Sequence, residues 1–177
     1  MRLHMARRLV FVAVVLAAAV FCLPATGRMG FSLDLASAQD VFLGKGSFQV
    51  SADLRAMISE EFQLRIPLAL SVNRTSFMGE VGVLLVYFPW GNGPFMGLSM
   101  LQIGLTRNCP DLQNVVNLNE VVFGWSFEFG PGLFVEPAIA IRDPSGTFSD
   151  EYSLLKGTFP CYTTFRGRVG FGWYFWR

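Results

Sequence analysis

The chain has 177 residues, one domain's worth of sequence, and is 52% hydrophobic and 15% aromatic, with 15% charged residues against about 25% in an ordinary soluble domain. Its formal net charge of +1 offers no basic patch to release counterions from phosphates, which argues against nucleic acid as a partner. Past the N-terminus no run of about 18 apolar residues occurs, so hydropathy predicts no helical membrane span, and 18 Gly and 18 Phe suit short strands and tight turns.

The first 27 residues read as an export signal. Arg2, Arg7 and Arg8 form a basic start, Leu9 to Leu23 is an unbroken apolar run, and Pro24 ends it. Cleavage after Ala25-Thr26-Gly27 releases residues 28–177; the alternative lies after Ala38, in Ala36-Ser37-Ala38. Cys22 follows Phe21 rather than the small residue a lipoprotein signal requires.

The remainder divides into runs that alternate apolar with polar or small residues at period two. Phe31-Ser32-Leu33-Asp34-Leu35 is the first, followed by Phe48 to Arg55, Phe62 to Ser71, and two runs, Val81 to Phe88 and Phe95 to Thr106, that are apolar on both faces for part of their length. Glu120 to Phe129, Leu133 to Arg142 and Phe165 to Trp176 alternate cleanly. Eight strands are expected, over residues 29–37, 47–56, 61–72, 78–88, 95–106, 119–129, 132–142 and 165–176. Most have the ~9–11 residues a tilted strand needs to cross a bilayer.

The connections differ in length. Gly130-Pro131-Gly132 and the stretch from Pro89 to Pro94 are turn-rich and short, whereas residues 107–118 and 143–164 form long loops. Short turns on one rim and long loops on the other are the pattern of an outer-membrane barrel, with the turns and both chain ends on the periplasmic side. An even strand number then requires the run from Met29 to be strand one, which favours the earlier cleavage site. Pro67 and Pro137 oppose the scheme, because each removes a ladder hydrogen bond from a sheet without edges.

The fold class expected is therefore all-β, an up-and-down antiparallel transmembrane barrel of eight strands. An eight-stranded barrel is just wide enough inside to be filled by side chains. A lumen charge network is expected from Asp53, Arg55, Arg65, Glu80, Glu128, Glu136, Arg142, Arg166 and Arg168, with Asp34 and Glu120 on the same polar face. The inverse arrangement, a soluble lipocalin-like periplasmic ligand binder with its apolar face inward, has the same periodicity. Aromatic residues near strand ends and the scarcity of Lys after the signal, Lys45 and Lys156 alone, favour lipid. Cys109 and Cys161 fall in two loops that rise from adjoining strands, and a disulfide between them is expected.

Val169, Phe171, Trp173 and Phe175 make an alternating aromatic final strand, and Phe134-Val135-Glu136-Pro137 follows the Gly-Pro-Gly turn. These features resemble small eight-stranded bacterial outer-membrane barrels of the OmpX, OmpW and OmpA membrane-domain class. The resemblance implies recognition by the barrel-assembly machinery through the C-terminal strand, residence among outer-membrane lipid, and loops 107–118 and 143–164 available to an extracellular partner. It departs from the pattern at its end, where Trp176 is followed by Arg177.

Catalytic chemistry is not expected. The one histidine, His4, lies in the signal, which leaves no Ser-His-Asp triad or imidazole general base for the palmitoyltransferase or omptin types of small barrel. Two separated cysteines are too few for a zinc site, no phosphate-binding loop is present, and no cofactor is expected. The first functional expectation is a structural or surface-exposed barrel with a plugged lumen. The second is a passage for small hydrophobic molecules like that of the OmpW type, lined by Leu84, Val86, Leu98 and Met100 unless a bulge shifts the register there.

Overall fold

The computed structural model describes residues 28–36, 46–109 and 112–176; the expected signal over residues 1–27 and Ala38 of the alternative processing motif lie outside the described residues. Nine antiparallel segments are present: β1 (Met29–Asp34), β2 (Ser47–Met57), β3 (Phe62–Asn73), β4 (Phe77–Tyr87), β5 (Gly93–Arg107), β6 (Val115–Leu118), β7 (Glu120–Phe129), β8 (Leu133–Arg142) and β9 (Phe165–Trp176). One helix, α1 (Ser149–Thr158), precedes β9.

The segments close into a ring. β1 pairs with β2 on one side and with β9 on the other, and β4 pairs with β5. β6 and β7 lie end to end beside β5, β6 against Gln102–Leu105 and β7 against Gly93–Leu98, so the barrel has eight strand positions. The even strand number and the up-and-down order follow the expectation.

Two elements depart from it. Residues 115–118, expected as loop, form β6, because β5 runs 15 residues and its upper half needs a partner. Within 143–164 lies α1, whose apolar side chains Tyr152 and Leu155 continue to Phe148 and Phe159 at helical spacing and turn one face onto the barrel.

Side chains alternate as the pleat requires. Every ring strand exposes large apolar groups: Phe31 on β1, Val50 on β2, Leu70 on β3, Phe77 on β4, Leu98 on β5, Phe123 on β7, Ile139 on β8 and Phe171 on β9. The opposite face buries Arg55, Arg65, Glu80, Glu120, Glu136, Arg142 and Arg166. The polar side chains are thus inside the barrel and the apolar ones outside.

The unclear runs in β4 and β5 have a physical cause. Val83 pairs with Leu101 and Leu84 with Ser99, leaving Met100 as an extra residue in β5. This β-bulge moves the inward positions from Phe95 and Gly97 to Gln102 and Gly104. Ser99 repairs the ladder across the bulge by accepting the Glu120 amide on its hydroxyl at 2.8 Å. Leu98 and Met100, expected in the lumen, point outward, with Met100 64% exposed.

The prolines are accommodated one side at a time. Pro67 stays in register with Asp53 on β2, while on the β4 side the pairing skips from Arg65–Leu84 to Leu68–Val81. Pro137 stays in register with Val169 on β9, and on the β7 side the pairing skips from Gly124–Ala138 to Phe127–Val135. Each proline therefore turns its missing donor toward a local gap rather than a whole broken strand.

Closure depends on close approach at the β1–β9 seam. Gly172 lies opposite both Ser32 and Phe134, and a Cβ there would strike the Phe31 carbonyl and the Phe134 ring. Gly172→Ala is expected to destabilise the barrel by about 1–3 kcal/mol through overpacking. Gly167→Ala, on the same strand with open space beside it, is expected to be near neutral. Urea unfolding followed by tryptophan fluorescence separates the two; equal midpoints would refute the seam as the tight point.

Candidate functional site

The candidate site is the lumen, and it is layered. Nearest the turn side, Tyr174 packs tilted against Phe134 with ring centroids 4.7 Å apart and accepts the Gln63 amide at 2.9 Å. Above them Glu136 of β8 receives two guanidinium groups, Arg55 of β2 at 2.6 Å and Arg65 of β3 at 3.0 Å. Arg55 also donates to Ser32 at 2.8 Å and to Asp53 at 3.2 Å. Its guanidinium lies 4.5 Å from the Phe134 ring centre, and that of Arg65 lies 4.6 Å from Phe95. Aromatic faces thus cover the cations where carboxylates do not.

A second charged layer lies toward the loops. Arg168 of β9 makes a forked pair with Glu120 of β7 at 3.1 and 2.9 Å. Glu80 of β4 accepts from Gln49 at 2.7 Å and from Gln102 and Tyr162 at 3.3 Å each. Gln49 in turn accepts from Arg142 at 2.7 Å, and Arg142 stacks 3.7 Å over Tyr162. Arg166 reaches the carbonyls of Cys161 and Gln49. Between the two layers is a cavity with polar walls at Asp34, Ser51, Asp53 and Arg168 and apolar walls at Leu84, Phe95 and Val122, with room for about two water molecules.

Eight of the nine expected network residues belong to these layers. Glu128 does not: it occupies the last inward position of β7, where the ring opens to solvent, and pairs with Arg28 at 2.7 Å with both side chains 35% exposed. Glu120, on the polar face but not among the expected network residues, is fully buried and holds Arg168. Its inward parity carried that signal; its partner required the register across the barrel.

The loop side is closed by a cap. Phe148, Tyr152, Leu155, Phe159 and Tyr162 pack on Met78, Val116 and Leu118, inward residues at the tops of β4 and β6. Tyr152 spans the break between β6 and β7: its hydroxyl donates to the Asn119 carbonyl at 2.7 Å and accepts the Asn119 amide at 3.1 Å. Both expected disulfide partners, Cys109 and Cys161, are buried in this cluster, packed among its apolar side chains. The residues of the C-terminal signature, Val169, Phe171, Trp173 and Phe175, project from the outer face of β9.

Burial pushes the phenols of the cap up, Tyr152 to about 12 and Tyr162 well above the ordinary 10. Comparison with protein-family models, with characterised proteins and with solved structures gave no match.

Removing the shared carboxylate leaves two buried guanidinium groups facing each other. Glu136→Ala is expected to cost about 3–5 kcal/mol in urea unfolding, against less than about 1 kcal/mol for Glu128→Ala at the rim. A small effect at both sites would refute the lumen as the seat of the charge energetics. The tyrosines give a pH signature. Their raised folded-state pKa values stabilise the cap fully below pH 10 and less as pH rises past 10 toward those values. Spectrophotometric titration is expected to show phenols ionising above the ordinary range, moving back to about 10 in denaturant.

Proposed function

We propose that this chain is an integral protein of the bacterial outer membrane, exported by its N-terminal signal, with a side-chain-plugged lumen and a folded cap displayed on the outer surface. One observation carries the reading: each strand of a closed ring turns apolar side chains outward while Arg–Glu pairs fill the inside. In water that apolar belt, continuous around the barrel, would far exceed the few hundred Å² of contiguous apolar surface soluble monomers expose. In a bilayer it is solvated, and the closed ladder leaves no strand edge in hydrocarbon.

The dimensions agree. β4, with 11 residues from Phe77 to Tyr87, spans about 25 Å along the bilayer normal at a tilt of about 40°, the height of a barrel's apolar band. Outward aromatics, among them Phe62, Phe129 and Trp173, lie toward the turn rim, where an aromatic girdle meets the interface. A lipocalin-like binder would need an apolar cavity where this barrel has paired charges. A hydrophobic passage loses Leu98 and Met100 from its expected lining, and Leu84 and Val86 are packed against Phe88, Phe95 and Val122. No catalytic role is assigned.

Cell fractionation tests the location: the protein is expected in the carbonate-resistant, detergent-extractable fraction, and release without detergent overturns the reading. Single-channel recording tests the plug, with no large stable conductance expected. The mature N-terminus is expected ahead of Met29, because β1 supplies the pairing on both sides of the seam. A start at Gln39 would remove that strand and refute the proposed processing site.

A further inference from the structure

The described arginines divide into two populations. Arg55, Arg65, Arg142, Arg166 and Arg168 are inside and hydrogen-bonded, and Arg28 pairs with Glu128 at the turn rim. Arg74 and Arg107 differ: both are exposed, and among the described residues neither guanidinium has a carboxylate or hydrogen-bonding partner. They are also neighbours. Arg107 ends β5 in register with Phe77, the first residue of β4, and Arg74 is in the turn joining β3 to β4. That turn is tied to the end of β5 by the Ser76 hydroxyl, which donates to the Asn108 carbonyl at 2.7 Å. Asn73 caps the turn from within, accepting the amides of Thr75 and Ser76 at 2.9 and 2.7 Å. The backbone carrying both cations is therefore fixed.

Their level matters as much as their proximity. Above the bulge the inward positions of β5 are Gln102, Gly104 and Thr106, so Arg107 points outward, one dipeptide beyond the exposed Leu105. Phe77 beside it is exposed as well. Arg107 thus sits on the outer wall just past the apolar belt, about 5 Å toward the loops, with Arg74 exposed in the turn beside it, at a level where an arginine stem lies on apolar surface and its head enters the headgroup layer. Carboxylates, Gln49 or backbone carbonyls serve the other described arginines, whereas these two guanidinium groups are left to solvent or lipid at the level where a bilayer carries phosphate.

We infer that Arg74 and Arg107 form a clamp for the phosphate of a lipid headgroup in the leaflet on the loop side. Guanidinium groups suit this ligand because their forked N–H donors match phosphate oxygens, and a phosphomonoester headgroup, with its higher charge, is held most strongly. The clamp rests on the membrane reading above and adds to it a specific lipid contact.

The test is native mass spectrometry of the mature protein refolded in neutral detergent, titrated with dioleoyl phosphatidic acid or with dioleoylglycerol, which has the same chains and no phosphate. Phosphatidic acid is expected to be retained at least about tenfold more strongly, and Arg74→Gln combined with Arg107→Gln to abolish that preference. Arg28→Gln, at the opposite rim, is expected to leave it intact. Unboiled gel mobility confirms that each variant is folded. Folded protein without the preference, or a preference that survives the double substitution, overturns the clamp and leaves the membrane reading standing. A chain that stays folded and soluble without detergent overturns both.

Discussion

The structure depends on closing the backbone ladder at the shortest ring strand. β1 has 6 residues, and both of its edges are used, one by β2 and one by β9. Without it the first and last strands would face each other across a gap, each with a row of unpaired N–H and C=O groups. In the bilayer proposed above such groups would cost several kcal/mol apiece, and closure would be a condition for the fold rather than an embellishment of it. The seam is narrow because glycine is placed where strands and rings crowd: Gly172 beneath Phe134, and Gly30 against Tyr174. The aromatic rings cover the backbone that the glycines leave bare, a pairing that strengthens a sheet at its weakest residue.

Once the ring is closed at eight positions, the interior is fixed at a width that side chains must fill. Large groups and glycines share the task. Gly82, Gly97, Gly104 and Gly124 face inward, and a Cβ on each would meet a neighbour closer than ordinary van der Waals contact. Their absence of side chain makes room for Leu84, Phe95, Met78 and Val116. Charges enter the same space under a stricter rule, since each must find an opposite charge, a dipole or an aromatic face. Arg55, Arg65 and Arg168 meet Asp53, Glu136 and Glu120, Arg142 meets Gln49 and the Tyr162 ring, and Arg166 meets backbone carbonyls, so each guanidinium has a partner even where that partner is not a carboxylate.

The strands were legible because one period of two, repeated over 10–12 residues, survives everything that neighbours do to it. Five of the eight positions alternate cleanly in sequence, and β3 and β9 end within a residue of the expected limits, 72 and 176. What was lost depends on more than one strand. The extra residue at Met100 is invisible without knowing which residue of β4 stands opposite, yet it moved Leu98 and Met100 from inside to outside. Glu128 and Glu136 occupy inward positions on neighbouring strands, and only their depth from the rim separates an exposed pair from a buried one. Which carboxylate meets which guanidinium is a non-local fact: Arg55 and Glu136 are 81 residues apart. The helix was recoverable, because Phe148, Tyr152, Leu155 and Phe159 repeat at three to four residues inside a stretch read as plain loop.

The two seals of the lumen differ in kind, and the difference sets how the barrel behaves if one of them fails. The cap is a surface element joined to the strands by a few hydrogen bonds, from Asn73 to Thr158, Tyr152 to Asn119 and Cys161 to Ser47, over an apolar contact. Such a unit opens locally at less than the cost of global unfolding. The Glu136 layer is built instead from three strands, β2, β3 and β8, with no loop residue in it. Displacing the cap removes Tyr162 from Arg142 and Glu80 and lets water reach them, and their hydration repays part of the cost of opening. Nothing in that movement disturbs Arg55 or Arg65, whose partners come from the wall and not from the cap. Cap motion and lumen opening are therefore separable: the loops can shift while the barrel stays shut at the layer below, whose partners all come from the strands.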